Sequence, residues 1–306
     1  MSIKSTVQSI TQDDTRYLSC LCGTDQKIAE SARTRAAHRG VGLTANLWKR
    51  GQTLNFRFWG GLPVYHRYVI EASDAIGHGL NIVWSVSEDV GLAHEENEET
   101  YKDSADALFP PEIRCTFRDG GSWSFLGNDV LKLPWHRNTM NFGWLDWAHE
   151  NERYDEIHRV VTHELLHMLG MLHEQDHPDC PVIINQAGYD HFAQYGIDKD
   201  GVYRMFMRRP DRKDATTTPY DSSSIMGYYL DKKFDASGNG IPFNGKMSQG
   251  DRIWVQLNYG NGTVKLPTEP TEPKPKEPEP KPKEPEPKPE EKEPKENKTY
   301  IPIAYR

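Results

Sequence analysis

Two histidines four residues apart with a glutamate directly after the first, His163-Glu164-Leu165-Leu166-His167, have the types and spacing to hold a metal ion and to hydrolyse a bond beside it. On a helix, positions i and i+4 lie one turn apart on the same face, so both imidazoles can reach a single Zn²⁺. Glu164 projects about 100° further round, which places it beside such an ion rather than on it, within reach of a metal-bound water. Three fixed positions match by chance about once in 8,000 sites, so the pentapeptide alone also fits a helix with two histidines on its polar edge. The next residues remove that alternative. Gly170 can end the helix in a left-handed turn without a Cβ clash, and the reversed chain can return His173 as a third nitrogen ligand. The five positions His163, Glu164, His167, Gly170 and His173 match by chance in only about one in 10⁴ chains of this length. Three neutral imidazoles leave the ion its full charge and an open position for water, whose pKa can fall toward about 7. Glu164 then acts as general base on that water and carries the proton to a leaving amine.

Such a site needs a rigid helix and something to pack it against. Residues 155–172 are the clearest helix, with Ile157, Val160, Val161, Leu165, Met168, Leu169 and Leu172 on one broad face. Leu54, Phe56 and Phe58 alternate with polar residues as in a half-buried strand. The spacing of Val64, Tyr68, Val69, Ala72, Ala75 and Ile76 predicts a helix, and residues 81–86 a second strand. Ile113, Cys115 and Phe117 alternate again before Asp119-Gly120-Gly121, and residues 139–144 form another short strand. Residues 202–209 and 249–257 are shorter helix candidates, and the acidic run over residues 95–106 reads as a solvated loop or exposed helix. The pattern predicts a mixed α/β sheet carrying a helix.

The string HELLHMLGMLHE resembles the zinc signature of the metzincin metallopeptidases, and Glu174 directly after the third histidine resembles the astacin branch. Downstream, Tyr220-Asp221-Ser222-Ser223-Ser224-Ile225-Met226-Gly227-Tyr228 is similar to the family's Met-turn, Met226 and Tyr228 matching its methionine and tyrosine. Leu47-Trp48 with Gly51 resembles the start of a mature astacin domain. Residues 113–117 with Gly120-Gly121-Ser122-Trp123 resemble the edge strand beneath which metzincins hold an extended peptide.

The resemblance implies an α+β metzincin-type zincin fold. A twisted mixed sheet and two long helices would lie above the cleft, with a smaller irregular lobe below. It further implies that His163, His167 and His173 bind one Zn²⁺, with Tyr228 as a fifth ligand that swings away to stabilise the oxyanion. Met226 would be an apolar floor, and Ile113, Cys115 and Phe117 the substrate edge strand. Glu174 would anchor a new N-terminus. The implied activity is a zinc-dependent metalloendopeptidase hydrolysing protein or peptide substrates by Glu-assisted attack of a zinc-bound water. An inactive zinc-binding interaction module of the same fold is the alternative, against which the intact Glu164 stands.

Composition sets the frame around that domain. The chain has 306 residues and a net charge of −8. Its mean hydropathy of −0.77 is low because of one segment. Residues 267–298 are almost wholly Pro, Glu, Lys and Thr and hold 11 of the 21 prolines, a composition that stays extended and solvated. Three parts follow: an N-terminal extension and candidate prosegment over 1–40, a catalytic domain over 41–262, and a disordered tail over 263–306. Arg33, Arg35 and Arg39 offer sites for a trypsin-like cut. Net acidity without a Lys/Arg stripe argues against nucleic acid as a partner. No stretch approaches the roughly 20 apolar residues of a membrane span. The first ten residues lack an apolar signal region, so an intracellular location is expected, with non-classical export the alternative. On that expectation Cys20, Cys22, Cys115 and Cys180 are reduced thiols.

Overall fold

The computed structural model describes residues 42–87 and 104–260. The extension, the tail, Cys20, Cys22 and most of the acidic run lie outside the described residues. Alternation along strand β1 (Thr53–Trp59) buries Leu54, Phe56 and Phe58 on one face. Helix α1 (Pro63–Ile76) follows, with Pro63 in the first turn, where no intrahelical N–H is needed. Gly77 ends it in the left-handed region at φ 68°. Strand β2 (Asn81–Val86) returns parallel to β1, with Thr53 opposite Asn81. The one-turn helix α2 (Ala105–Leu108), capped by the Ser104 hydroxyl, carries Asp106 into the interior. There its carboxylate accepts Trp59 Nε1 at 2.8 Å and pairs with Arg57 at 2.7 Å. The acidic run therefore ends in a buried carboxylate rather than a solvated one, because β1 supplies the donors that make burial tolerable.

Strands β3 (Ile113–Thr116), β4 (Ser122–Ser124) and β5 (Met140–Phe142) complete a sheet of order β2-β1-β3-β5-β4. β3 runs parallel to both β1 and β5, and β4 runs antiparallel to β5. This corrects the expectation for Ile113, Cys115 and Phe117. Their strand is interior and hydrogen-bonded on both sides, so it offers no edge to a peptide. Ile113 and Cys115 are buried, and burial pushes the Cys115 thiol well above its ordinary range. Phe117 lies just past the strand among the rings of Tyr65, Phe58 and Phe142. Period-two alternation reports which face of a strand is buried and is silent about its lateral neighbours. The outer strand on this side is β4.

Helix α3 (Leu145–Glu150) leads into α4 (Tyr154–Met168). α1 and α4, with 14 and 15 residues, are the longest helices among the described residues, and they pack on one another. Ile157, Val161 and Leu165 of α4 are fully buried, each worth roughly 1.5–3 kcal/mol of transfer free energy. α4 also lies against β4, so the outer strand borders the histidine helix.

Beyond α4 the chain is mostly loops and short helices, α5 (Gln186–Ala193) and α6 (Lys199–Phe206), around a second apolar cluster of Val182, Ile184, Phe192, Val202, Phe206 and Leu230. Asp235 organises its loops, its carboxylate accepting the N–H groups of Ile183, Ser237, Asn239 and Gly240 and the Ser237 hydroxyl. Helix α7 (Gln249–Tyr259) returns to the first cluster, where Trp254, Val255 and Tyr259 are buried. The expected α+β architecture is present: a mixed sheet with two long helices, and a smaller irregular lobe. No described helix is long and apolar enough to cross a membrane.

Candidate active site

α4 starts with Asp155 and Glu156 in its first turn, which suits the positive end of a helix dipole, and it presents His163 and His167 one turn apart with ring centroids 4.7 Å apart. The helix ends four residues earlier than its apolar pattern suggests, and the reason is Gly170. Gly170 N–H donates to His167 O at 2.8 Å and Met171 N–H to Leu166 O at 2.9 Å, the paired bonds of a Schellman ending. Gly170 sits at φ 95°, and a Cβ there would lie 3.2 Å from Asn46 O. Left-handed backbone and close packing both require glycine. The reversed chain brings His173 back, its Nε2 3.1 Å from His167 Nε2.

One ligand nitrogen from each of His163, His167 and His173 lies within 4.8 Å of the others. His163 Nδ1 is 3.0 Å from Ile225 O and His167 Nδ1 2.7 Å from Met171 O. Nδ1–H groups donated to these carbonyls leave Nε2 as the unprotonated nitrogen on both rings, turned toward the other imidazoles. Burial, followed by the neighbouring His167, holds the His163 imidazole well below its ordinary pKa, so the ring is neutral. Its Nε2 is buried without a hydrogen-bond partner among the described residues. A buried orphaned acceptor facing two more imidazoles fits a soft-to-borderline cation such as Zn²⁺. Glu164 is 1% exposed and directly follows the first histidine.

The segment around Met226 meets the site through Ile225 O and the Tyr228 ring and joins the two apolar clusters, Met226 lying in the first and Tyr228 in the second. The Tyr228 ring centroid is 4.2 Å from that of His173 and 6.4 Å from that of His163. Four hydrogen bonds fix this turn. Ile225 N–H donates to Asp251 Oδ2 at 3.0 Å and Met226 N–H to Ser224 Oγ at 3.0 Å, while Tyr228 N–H donates to Gln175 Oε1 at 3.0 Å and Met226 O accepts from Glu174 N–H at 3.1 Å. Glu174 is buried, with one oxygen accepting Asp221 N–H at 2.7 Å. Burial pushes its carboxyl up to about 8 against that hydrogen bond, with Asp251, Asp221 and Asp176 adding to the rise.

Sequence reasoning missed Asp251, which ties the Met226 turn to α7. The signal was there: Ser248 and Asp251 form a capping box at the α7 N-terminus. It also missed Gln175, whose only sequence mark is its place beside Glu174.

Residues 151–243 match the family model for Astacin, a peptidase family. A zinc metalloproteinase dpy-31 from Haemonchus contortus is 38% identical over 69 residues, 22% of this chain and 12% of the relative. The Caenorhabditis elegans protein of the same name is 38% identical over 69 residues, again 22% of this chain and 11% of the relative. The chain thus spans only about an eighth of the curated relatives it matches. The solved structure of myroilysin covers 72% of this chain and 99% of its own at a TM-score of 0.61 and 24% identity, a likeness of fold.

Proposed function

From an astacin-like metallopeptidase domain as premise, we propose that this chain is a zinc-dependent endopeptidase acting on protein substrates. The observation that carries this reading is the convergence of three imidazoles, one with a buried orphaned Nε2, beside a buried glutamate. His163, His167 and His173 hold the ion. When bound, Zn²⁺ supplies Lewis acidity toward a carbonyl and acidifies water near neutral pH. Glu164 takes the proton of the attacking water and delivers it to the leaving amine, its burial keeping bulk water from competing for the carboxylate. The Tyr228 hydroxyl donates to the developing oxyanion, a role supported by the position of its ring over His173. Met226 packs as an apolar floor.

The peptide itself is held at β4, whose outward backbone groups have no partner strand among the described residues and which borders α4. An extended chain adds to such an edge by backbone hydrogen bonds. Residues 1–40 act as a prosegment, and cleavage after it releases an ammonium group that pairs with Glu174. Support comes from the burial of Glu174 among three carboxylates, where a cation would relieve the repulsion. N-terminal sequencing of active material checks this, and a start at Met1 sinks it.

The experiment for the main reading is cleavage of unfolded casein with a zinc chelator and after zinc readdition, with and without trimming of residues 1–40. Chelation abolishes cleavage and zinc restores it. Stoichiometric zinc binding without chelator-sensitive cleavage in either form supports an inactive module instead.

A further inference from the structure

Resting on the peptidase reading, we infer that Arg159, braced by Glu156 and Phe243, is a specificity-determining residue that limits the size of the substrate side chain accepted one helical turn from the metal ligands. Arg159 precedes His163 by four residues, so it leaves α4 from the face that carries His163 and His167. An arginine on the cleft side of a helix would ordinarily extend into water, yet its side chain is only 5% exposed.

Among the described residues, Glu156 and Phe243 hold the guanidinium. Nε and Nη2 donate to the two carboxylate oxygens of Glu156 at 2.7 and 2.6 Å, and Cζ lies 5.1 Å over the centroid of the Phe243 ring. Phe243 belongs to the loop that follows the Met226 turn. Leu230 and Ile241 exchange backbone hydrogen bonds at 2.9 and 2.8 Å just before it. Asn244 Nδ2 then donates to Ser222 O and Ser224 O at 2.8 and 2.9 Å just after it. The aromatic ring is therefore fixed relative to the same turn that supports His163 through Ile225 O. Arg159 spans from the histidine helix to this loop as a strut.

Its charge is matched by a bidentate carboxylate, so the strut selects by volume rather than by charge. On this inference, a peptide whose scissile carbonyl lies at the three histidines places a neighbouring side chain against Arg159, one helical turn before His163. A small side chain fits beside it. A Leu or Phe displaces the guanidinium from Glu156 and Phe243, leaving a half-buried carboxylate without its partner.

The test uses the full-length zinc-loaded protein, with Arg159→Ala and Phe243→Ala, and cleavage-site profiling of a peptide mixture by mass spectrometry. In Arg159→Ala the preference at one position flanking the scissile bond shifts from Ala toward Leu and Phe by at least about tenfold in kcat/KM, with zinc content unchanged. Phe243→Ala, which alters a half-exposed ring and keeps the helix intact, shifts the same way by less. Binding of the same peptides to Glu164→Ala, with and without Arg159→Ala, follows the same order and separates recognition from turnover. Retained cleavage with an unchanged profile in both variants overturns the inference, as does a shift by charge instead of size. No cleavage by the wild-type protein overturns the peptidase reading itself, and this inference with it.

Discussion

Asp251→Ala removes the residue that couples the Met226 turn to α7. The carboxylate is 1% exposed and accepts three hydrogen bonds, from Ser224 Oγ at 2.5 Å, Ile225 N–H at 3.0 Å and Ser248 N–H at 2.8 Å. Bonds to a charged acceptor contribute about 1.5–3 kcal/mol each, but three bonds on one group overlap and do not add. The bond from Ser248 N–H is also half of the α7 capping box, which Asp251 N–H to Ser248 Oγ completes at 3.0 Å. The net loss is about 3–5 kcal/mol. The same change reaches the histidines, because the carbonyl that orients His163 belongs to Ile225. Loss of such an outer partner weakens metal binding by about 10- to 100-fold. Urea unfolding in chelator reads the first quantity, and zinc competition against a chromophoric chelator reads the second. Asp251→Asn, which keeps one accepting oxygen, falls between the alanine variant and wild type. An alanine variant within about 1 kcal/mol of wild type and with unchanged zinc affinity would refute the claim that α7 holds the turn in place.

Other outcomes follow from the same contacts. Gly170→Ala puts a Cβ into the left-handed region, a cost of about 1–2 kcal/mol, and within 3.2 Å of Asn46 O, so thermal melting falls and zinc retention with it. Tyr228→Phe lowers kcat by about 10²–10³ with zinc content unchanged, which metal analysis beside steady-state kinetics will check. Burial alone would raise the Asp235 carboxyl, but the Ser237 hydroxyl and the N–H groups of Ile183, Gly240 and Ser237 outweigh it and hold it below its ordinary range. A depressed folded-state pKa stabilises at neutral pH and loses that contribution as pH falls through the acidic range. Asp235→Asn should therefore unfold more readily than wild type at pH 7, the gap narrowing below about pH 4. A gap constant with pH contradicts that assignment.

The histidine helix was legible because its chemistry and its period coincide: the 3.6-residue repeat that buries Ile157, Val161 and Leu165 also sets His163 and His167 on one face. Gly170 was legible for the same local reason, since a helix that reverses at a left-handed residue calls for glycine. The lateral order of the sheet was not. Cys115 and Phe117 alternate as any half-buried strand does, and the true outer strand, Ser122–Ser124, is too short to show a period. Asp251 and Phe243 act across 88 and 84 residues of sequence from His163 and Arg159, distances at which only the folded chain reveals a contact. The helix α5 went unread because its only clear start signal is Asn185, whose side chain caps Gly188 N–H.

The most direct test is the initial rate of casein cleavage measured while Zn²⁺ is titrated into metal-free protein, wild type beside Glu164→Ala. A peptidase with His163, His167 and His173 as its ligands and Glu164 as its base shows cleavage rising with bound zinc to a plateau at one ion per chain. Glu164→Ala then binds the same zinc and stays at the background rate. Cleavage by the Glu164→Ala protein at the wild-type rate, or saturation with zinc and no cleavage by wild type, contradicts it.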